Sequence, residues 1–143
     1  MGLFAKLETI VTIKVVPGNG NHDIVILENG KQVITKHNEF KQGAFVVYFE
    51  LGSALPANDT RYDFLREHNL HTWYDKQGKV LHSVIRINAV KIDDVISQGL
   101  VMSVSLFPEL AAVMNGEDED DILHVRSFFD VNEEMKGLMI AKA

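Results

Sequence analysis

Few side chains in this sequence are arranged for bond-making chemistry. There are six histidines (His22, His37, His68, His71, His82, His124) and twenty acidic residues, but no cysteine. That composition removes thiolate metal sites, thiol catalysis and disulfides. His68 and His71 stand three apart, yet no HExxH or equivalent ligand set accompanies them. Asp118, Glu119 and Asp120 match a calcium loop only in charge, because the glycine at its sixth position and its closing glutamate are missing. Neither GxxxxGK followed by Ser or Thr nor GxGxxG occurs. Ser53, Ser83, Ser97, Ser103, Ser105 and Ser127 have no nucleophile-elbow context. The expectation is no catalytic residue, no metal site and no cofactor.

The side chains do offer positive charge and aromatic surface. Cations neutralise phosphates and rings stack on bases, which together hold single-stranded nucleic acid. The candidates are Lys31, Lys36, Lys41, Arg61, Arg66, Trp73, Tyr74, Arg86 and Lys91. Lys76 and Lys79 extend the cationic set, and Tyr48 and His82 the stacking set. Each cation also reads as an ordinary solvated charge, and Trp73 and Tyr74 as a cover over the end of a core.

The elements that must carry these residues centre on Glu39–Pro56, EFKQGAFVVYFELGSALP. A Lys-Gln-Gly turn precedes the most apolar run, Ala44–Leu51, and Gly-Ser-x-x-Pro ends it. Eight residues rich in Val, Phe and Tyr between turns predict a central strand. Ala44, Val46, Tyr48 and Glu50 share one face, and Phe45, Val47, Phe49 and Leu51 the other, so the strand is expected to be covered on both sides. Upstream, Lys6–Val16 alternates as a long half-buried strand. Pro17–Asn21 reads as a loop and Asp23–Leu27 as a second strand, and Asn29-Gly30 predicts a hairpin returning through Gln32–Lys36. Downstream, Asp59 or Thr60 caps a short helix with Tyr62, Leu65 and Phe64 inward. Lys79–Ile92 reads as another long strand and Leu100–Val104 as a last short one.

A long first strand, a hairpin, and a helix between middle and late strands within about 105 residues suggest a small closed barrel. The predicted fold class is mainly β: an OB-fold-like Greek-key barrel over residues 1–107, then an acidic, partly helical C-terminal extension over 108–143. An unrelated mixed β domain is the alternative. Residues 1–107 carry 11 Lys/Arg and 11 Asp/Glu, and residues 108–143 carry 3 and 9, so the net charge of -6 belongs to the extension. There the run Gly116–Asp121 opens a predicted helix, Asp118–Val125, and Ser127-Phe128-Phe129 and Gly137–Ile140 read as exposed apolar pieces. No apolar run approaches the roughly 20 residues of a membrane span, and no secretory signal opens the chain. A soluble, cytoplasmic protein with no membrane partner is expected.

Three segments resemble one family. LETIVTIKVVPGNG resembles its opening strand and proline loop. ITKHNEFKQGAFVVYFELGSALP resembles its EFKxGD-VVYxE turn and strand with the SxLP stop, and RINAVKIDDVISQGL its RIRTxKLRGxISQGL segment. That family is the N-terminal OB-fold domain of ATP-dependent RNA ligases that seal 3′-OH RNA-guided nicks. SLFPEL and GEDEDDILHV resemble the connector that follows it. The resemblance implies an auxiliary barrel that engages RNA or a nicked duplex, while a separate nucleotidyltransferase domain places AMP on the lysine of a KxDG motif. This chain has no KxDG, so RNA ligase (ATP) activity is expected only if it is joined to a catalytic domain. Lys91-Ile92-Asp93-Asp94 replaces the family's Lys-x-Arg-Gly, and its two carboxylates repel phosphate. Ser127–Val131 replaces the expected linker, which leaves open a free-standing relative or a fragment. The implied partners are RNA or a nicked duplex, and a ligase catalytic domain or other protein through 108–143. The alternative is a protein-interaction or oligomerisation module that docks through the acidic tail with Phe128, Phe129, Leu138, Met139 and Ile140.

Overall fold

A computed structural model describes residues 4–141, with side chains described from Phe4 through Leu138. Met139 and Ile140, expected to dock, therefore lie outside the described side chains. The first sheet holds five antiparallel strands in the order β10-β4-β1-β2-β3. They are β1 (Ala5–Val16), β2 (Asn19–Leu27), β3 (Gln32–Lys36), β4 (Phe45–Glu50) and β10 (Gly99–Ser103). The β2–β3 hairpin turns at Asn29-Gly30 as predicted, with Gly30 at φ 88°. The loop expected over Pro17–Asn21 is shorter: Gly18 turns the chain at φ 77° and β2 already begins at Asn19.

The sheet curls until β3 meets the segment leading into β10, and side chains close the ring. The Gln98 amide donates to the Gln32 carbonyl at 2.8 Å. Gln32 N–H donates to Gln98 Oε1 and Ile34 N–H to Ser97 Oγ, each at 3.0 Å. Lys36 N–H donates to Glu39 Oε1 at 3.2 Å. Three outward N–H groups of an edge strand are thus satisfied by side-chain oxygens where a ladder partner would otherwise stand. Ile10, Val25, Leu27, Val33, Val46, Tyr48 and Val101 fill the interior. Tyr48, entered above as a stacking candidate, is fully buried there, and its hydroxyl donates to the Gln98 carbonyl at 2.6 Å.

Residues 51–98 form an insertion between β4 and β10. It contains β5 (Ser53–Pro56), a 3-10 helix (Thr60–Leu65), α1 (Arg66–Asn69), β6 (Leu70–Tyr74), β7 (Val80–Arg86), β8 (Val90–Ile92) and β9 (Val95–Ser97). The long strand predicted over Lys79–Ile92 is therefore two strands. β7 stays in the second sheet, and β8 turns through Asp93 and Asp94, both at positive φ, to pair with β9. Asp59 caps the 3-10 helix by accepting from Arg61 N–H. Tyr62 is buried as predicted, whereas Phe64 is 62% exposed. The tighter 3-10 winding, three residues per turn, moves position 64 off the inward face.

The second sheet runs β11-β5-β7-β6, with β11 (Arg126–Ser127) contributed by the C-terminal segment. Between the two sheets lie Val47, Phe49, Leu55, Tyr62, Ile85, Phe107 and Leu123. Val47 and Phe49 alternate with Val46 and Tyr48, so β4 serves two cores, as its doubly apolar pattern predicts. The predicted acidic helix is α2 (Glu119–Leu123), shorter than expected because His124 turns left-handed at its end. The Asp120 carboxylate accepts from the Phe4 and Ala5 amides, tying α2 to the start of β1. Helix α3 (Phe128–Ala141) packs on the far face of the second sheet, where Phe128, Val131 and Met135 meet Ala54, Trp73 and Val84. Phe128, expected to be exposed, is buried, because β11 turns the chain so that position 128 faces Trp73. Phe129 points away and is 69% exposed.

Gly99 sits at the seam with φ 142°, and a Cβ there would lie 2.5 Å from the Phe49 carbonyl oxygen and 2.6 Å from the Tyr48 ring. Gly99→Ala is expected to lower unfolding free energy by roughly 2–4 kcal/mol. Gly43→Ala, at φ 86° in open space, is expected to lose only about 1–2 kcal/mol. Equal losses in urea unfolding would show that the seam tolerates a side chain.

Candidate nucleic-acid interface

Beyond the Gln98 closure, β3 and β10 part. Between them lies a groove of about 510 Å³, walled by Ile34–Lys36 on one side and Leu100–Ser103 on the other. Glu39, Phe40, Arg61, Phe64 and Leu106 complete its lining. Its floor is apolar, and two strand edges, a hydroxyl (Ser103) and an ammonium group (Lys36) flank it.

The loop from His37 to Gly43 is fixed from beneath. Asp23 is a buried carboxylate on β2 that accepts from His37 Nδ1 at 2.8 Å and from Asn38 N–H at 2.9 Å, with Asn38 held at φ 60°. The His37 hydrogen bond outweighs burial and holds Asp23 below the usual carboxylate range. This anchorage sets where Glu39, Phe40 and Lys41 emerge. Lys36 and Lys41 are both exposed on this flank and form no ion pair among the described residues.

Arg61 reaches the groove but is already engaged. Its guanidinium holds Asp59 through Nε and Nη2, Glu109 through Nη1 and Nη2 at 2.9 and 2.7 Å, and the Leu106 carbonyl at 2.9 Å. It also lies 4.3 Å from the Phe107 ring centroid. Hydrogen bonds to both carboxylates raise its pKa further, and Arg61 in turn lowers those of Asp59 and Glu109. The guanidinium has no donor left for a phosphate, so it acts as a bolt between the 3-10 helix and the Leu106–Glu109 corner.

The other candidates are dispersed. Lys31 stands at the β2–β3 turn, next to the seam. Arg66, on α1, donates to the Ala57 carbonyl. Lys91 pairs with Asp94 at 3.5 Å on the β8–β9 hairpin. Trp73 is buried in the second sheet, stacked between Phe128 and His82, and its indole N–H donates to Asn132. Arg86 lies 4.1 Å over the Phe128 ring, on that same side of the molecule. Tyr74 is half exposed at the end of edge strand β6. Lys36 and Arg61 are thus the sequence candidates that line the groove, with Lys41 beside it. Phe40, Phe64, Leu100 and Leu106 were not anticipated. Phe40, adjoining the Lys-Gln-Gly turn, is half-buried, packing against the barrel interior while lining the groove.

The Arg61 cluster sets a pH dependence. Asp59 and Glu109 have lowered folded-state pKa values, so their stabilisation is complete above the unfolded value near 4 and is lost as pH falls through the lowered values. Glu109→Gln is expected to reduce stability by about 1 kcal/mol at neutral pH, with the difference from wild type shrinking below about pH 4. Urea midpoints across that range test this, and a difference persisting in acid would mean that the contribution is not ionic.

Comparison with known proteins adds three findings. A family model described as an OB-fold domain matches residues 4–104. No curated protein matches. Among solved structures, the chain is similar to Naegleria gruberi RNA ligase. An apo form aligns at 26% identity and TM-score 0.73 over 90% of this chain and 36% of that one. A form with AMP and Mn aligns at 27% and 0.72 over 87% and 35%, and one with PPi at 27% and 0.69 over 89% and 35%. The chain thus spans about a third of the RNA ligase chains that it matches. Among the described residues no group of three His, Asp or Glu side chains converges. No helix among the described residues is long and apolar enough to cross a membrane.

Proposed function

We propose, given that the chain belongs to the OB-fold domain family, that its barrel is a nucleic-acid-binding module like that of RNA ligases, engaging RNA or a nicked duplex. The β3–β10 groove is the binding track. OB barrels use the strand 2–3 face and its neighbouring loops for oligonucleotides, and here β3 forms one wall of the groove. Phe64, largely exposed, offers a ring face to unstacked bases beside the half-buried Phe40, and Lys36, Lys41 and Lys31 take the phosphates. Arg61 shapes the wall and does not contact the backbone. The proposed unit is residues 1–107, with 108–143 covering its outer face. Trp73, Arg86, Arg66, Tyr74 and Lys91 lie outside this track, so substituting the exposed Tyr74, Arg66 or Lys91 should leave binding unchanged.

The carrying observation is the pairing of an apolar groove edged by Phe64 with lysines that form no ion pair among the described residues. Anisotropy titrations with single-stranded RNA and a nicked RNA duplex should show affinity falling with salt by about 0.7 log units per log unit for each single-strand phosphate contact. Lys36→Ala with Lys41→Ala should lower that slope, and Phe64→Ala should weaken binding by about 1–3 kcal/mol without changing it. Absence of binding at low salt, or unchanged slopes in the lysine variant, would remove the proposal.

A further inference from the structure

The two sheets end differently. In the first, outward N–H groups of β3 are taken by the side chains of Gln98, Ser97 and Glu39. In the second, one edge strand, β11, is two residues long and the other, β6, is five. The hydrogen bonds around β6 tell which of its groups face outward. Asp75 N–H donates to the Lys79 carbonyl, so the odd-numbered positions turn towards β7. Leu70 N–H turns back to the Arg66 carbonyl. Where the β6–β7 register shifts, the extra residue, Leu81, belongs to β7, and β6 keeps its alternation to Tyr74. The Leu70 carbonyl, Thr72 N–H and C=O, and Tyr74 N–H therefore face away from the sheet, with no strand opposite them among the described residues. Nor is this edge blunted. LHTWY contains no Lys, Arg, Asp, Glu or Pro, the residues that commonly keep an edge from pairing.

The edge is complementary to itself. Turned about a two-fold axis through Thr72, two β6 strands run antiparallel and their Thr72 residues exchange both hydrogen bonds. Leu70 and Tyr74, 38% and 52% exposed on the face they share with Thr72, then fall opposite each other on both sides of the axis as apolar–aromatic cross-strand pairs. The flanks match in charge as well, because this pairing lays α1 of each copy beside the turn after β6 of the other. On α1, Arg66 is held by the Ala57 carbonyl, and Glu67 is exposed with His68 at 3.9 Å as its nearest cation. In the turn, Asp75 already accepts from the Gln77 and Lys79 amides, and Lys76 is exposed and forms no ion pair among the described residues. Glu67 of one copy thus meets Lys76 of the other, twice. A parallel pairing forfeits both matches. Both are supplied by this chain's own residues, which specifies a second copy as the occupant. β6 contributes nothing to the β3–β10 groove, so this reading does not depend on nucleic-acid binding.

We propose that this protein self-associates edge to edge through β6, antiparallel about Thr72, joining two four-stranded sheets into one. The test is sedimentation velocity of the full chain over a concentration series, with amide hydrogen exchange at its two ends. A monomer–dimer equilibrium should appear, and Thr72 N–H should exchange more slowly as the dimer fills. Thr72→Pro removes that donor, and a proline whose missing N–H faces outward spares the ladder to β7. Tyr74→Lys charges the exposed pair and gives a second reading. Each should weaken the dimer by about tenfold or more. Glu67→Lys should weaken it by about threefold or more, and adding Lys76→Glu to that variant should restore it. A monomer at every concentration, a dimer indifferent to Thr72→Pro and Tyr74→Lys, or a double exchange that fails to restore association would each overturn the proposal. A monomer whose Thr72 N–H is protected only by an added alternating Thr/Val peptide would overturn it in favour of a foreign strand.

Discussion

Closure of the barrel rests on one short seam. β3 and the approach to β10 do not form a continuous ladder, and Gln98, Ser97 and Glu39 supply acceptors to the three N–H groups of β3 that face it. Tyr48 fastens the seam from inside through the Gln98 carbonyl, and Gly99 lets the chain pass within reach of Phe49. A side-chain closure needs few residues, so the strands are free to separate immediately afterwards. The groove exists because the seam is short.

From β4 outward the molecule is layered. Val46 and Tyr48 face the barrel interior, Val47 and Phe49 the space between sheets, and α3 covers the second sheet through Phe128 and Trp73. Arg61 and Asp120 pin the joints between layers, each through side chains distant in sequence from their partners. Charge at these joints holds elements together, whereas Lys36 and Lys41 beside β3 form no ion pair among the described residues.

The sequence carried the barrel well and the site poorly, for physical reasons. Alternation along β1, the Asn29-Gly30 turn and the two apolar faces of β4 are local signals, and each describes its own element. Tyr48, Trp73 and Phe128 show the limit, because whether an aromatic faces solvent depends on which distant element lies over it. Phe64 was turned outward by a 3-10 winding that has no distinct sequence pattern. Arg61 looked like a phosphate ligand until Glu109, 48 residues away, came to lie against it. Ion pairing between distant residues cannot be read from composition.

The insertion between β4 and β10 also bears on how the chain reaches this state. Met102 pairs with Val47 across 55 residues, whereas the β1–β2 and β2–β3 hairpins form between neighbours. Closing so long a loop demands chain entropy before any stabilising contact is gained. Collapse of residues 51–98 into their own sheet shortens the effective distance that β10 must cover. The insertion is in this sense an internal spacer, because its own compact packing brings Gly99 back beside β4.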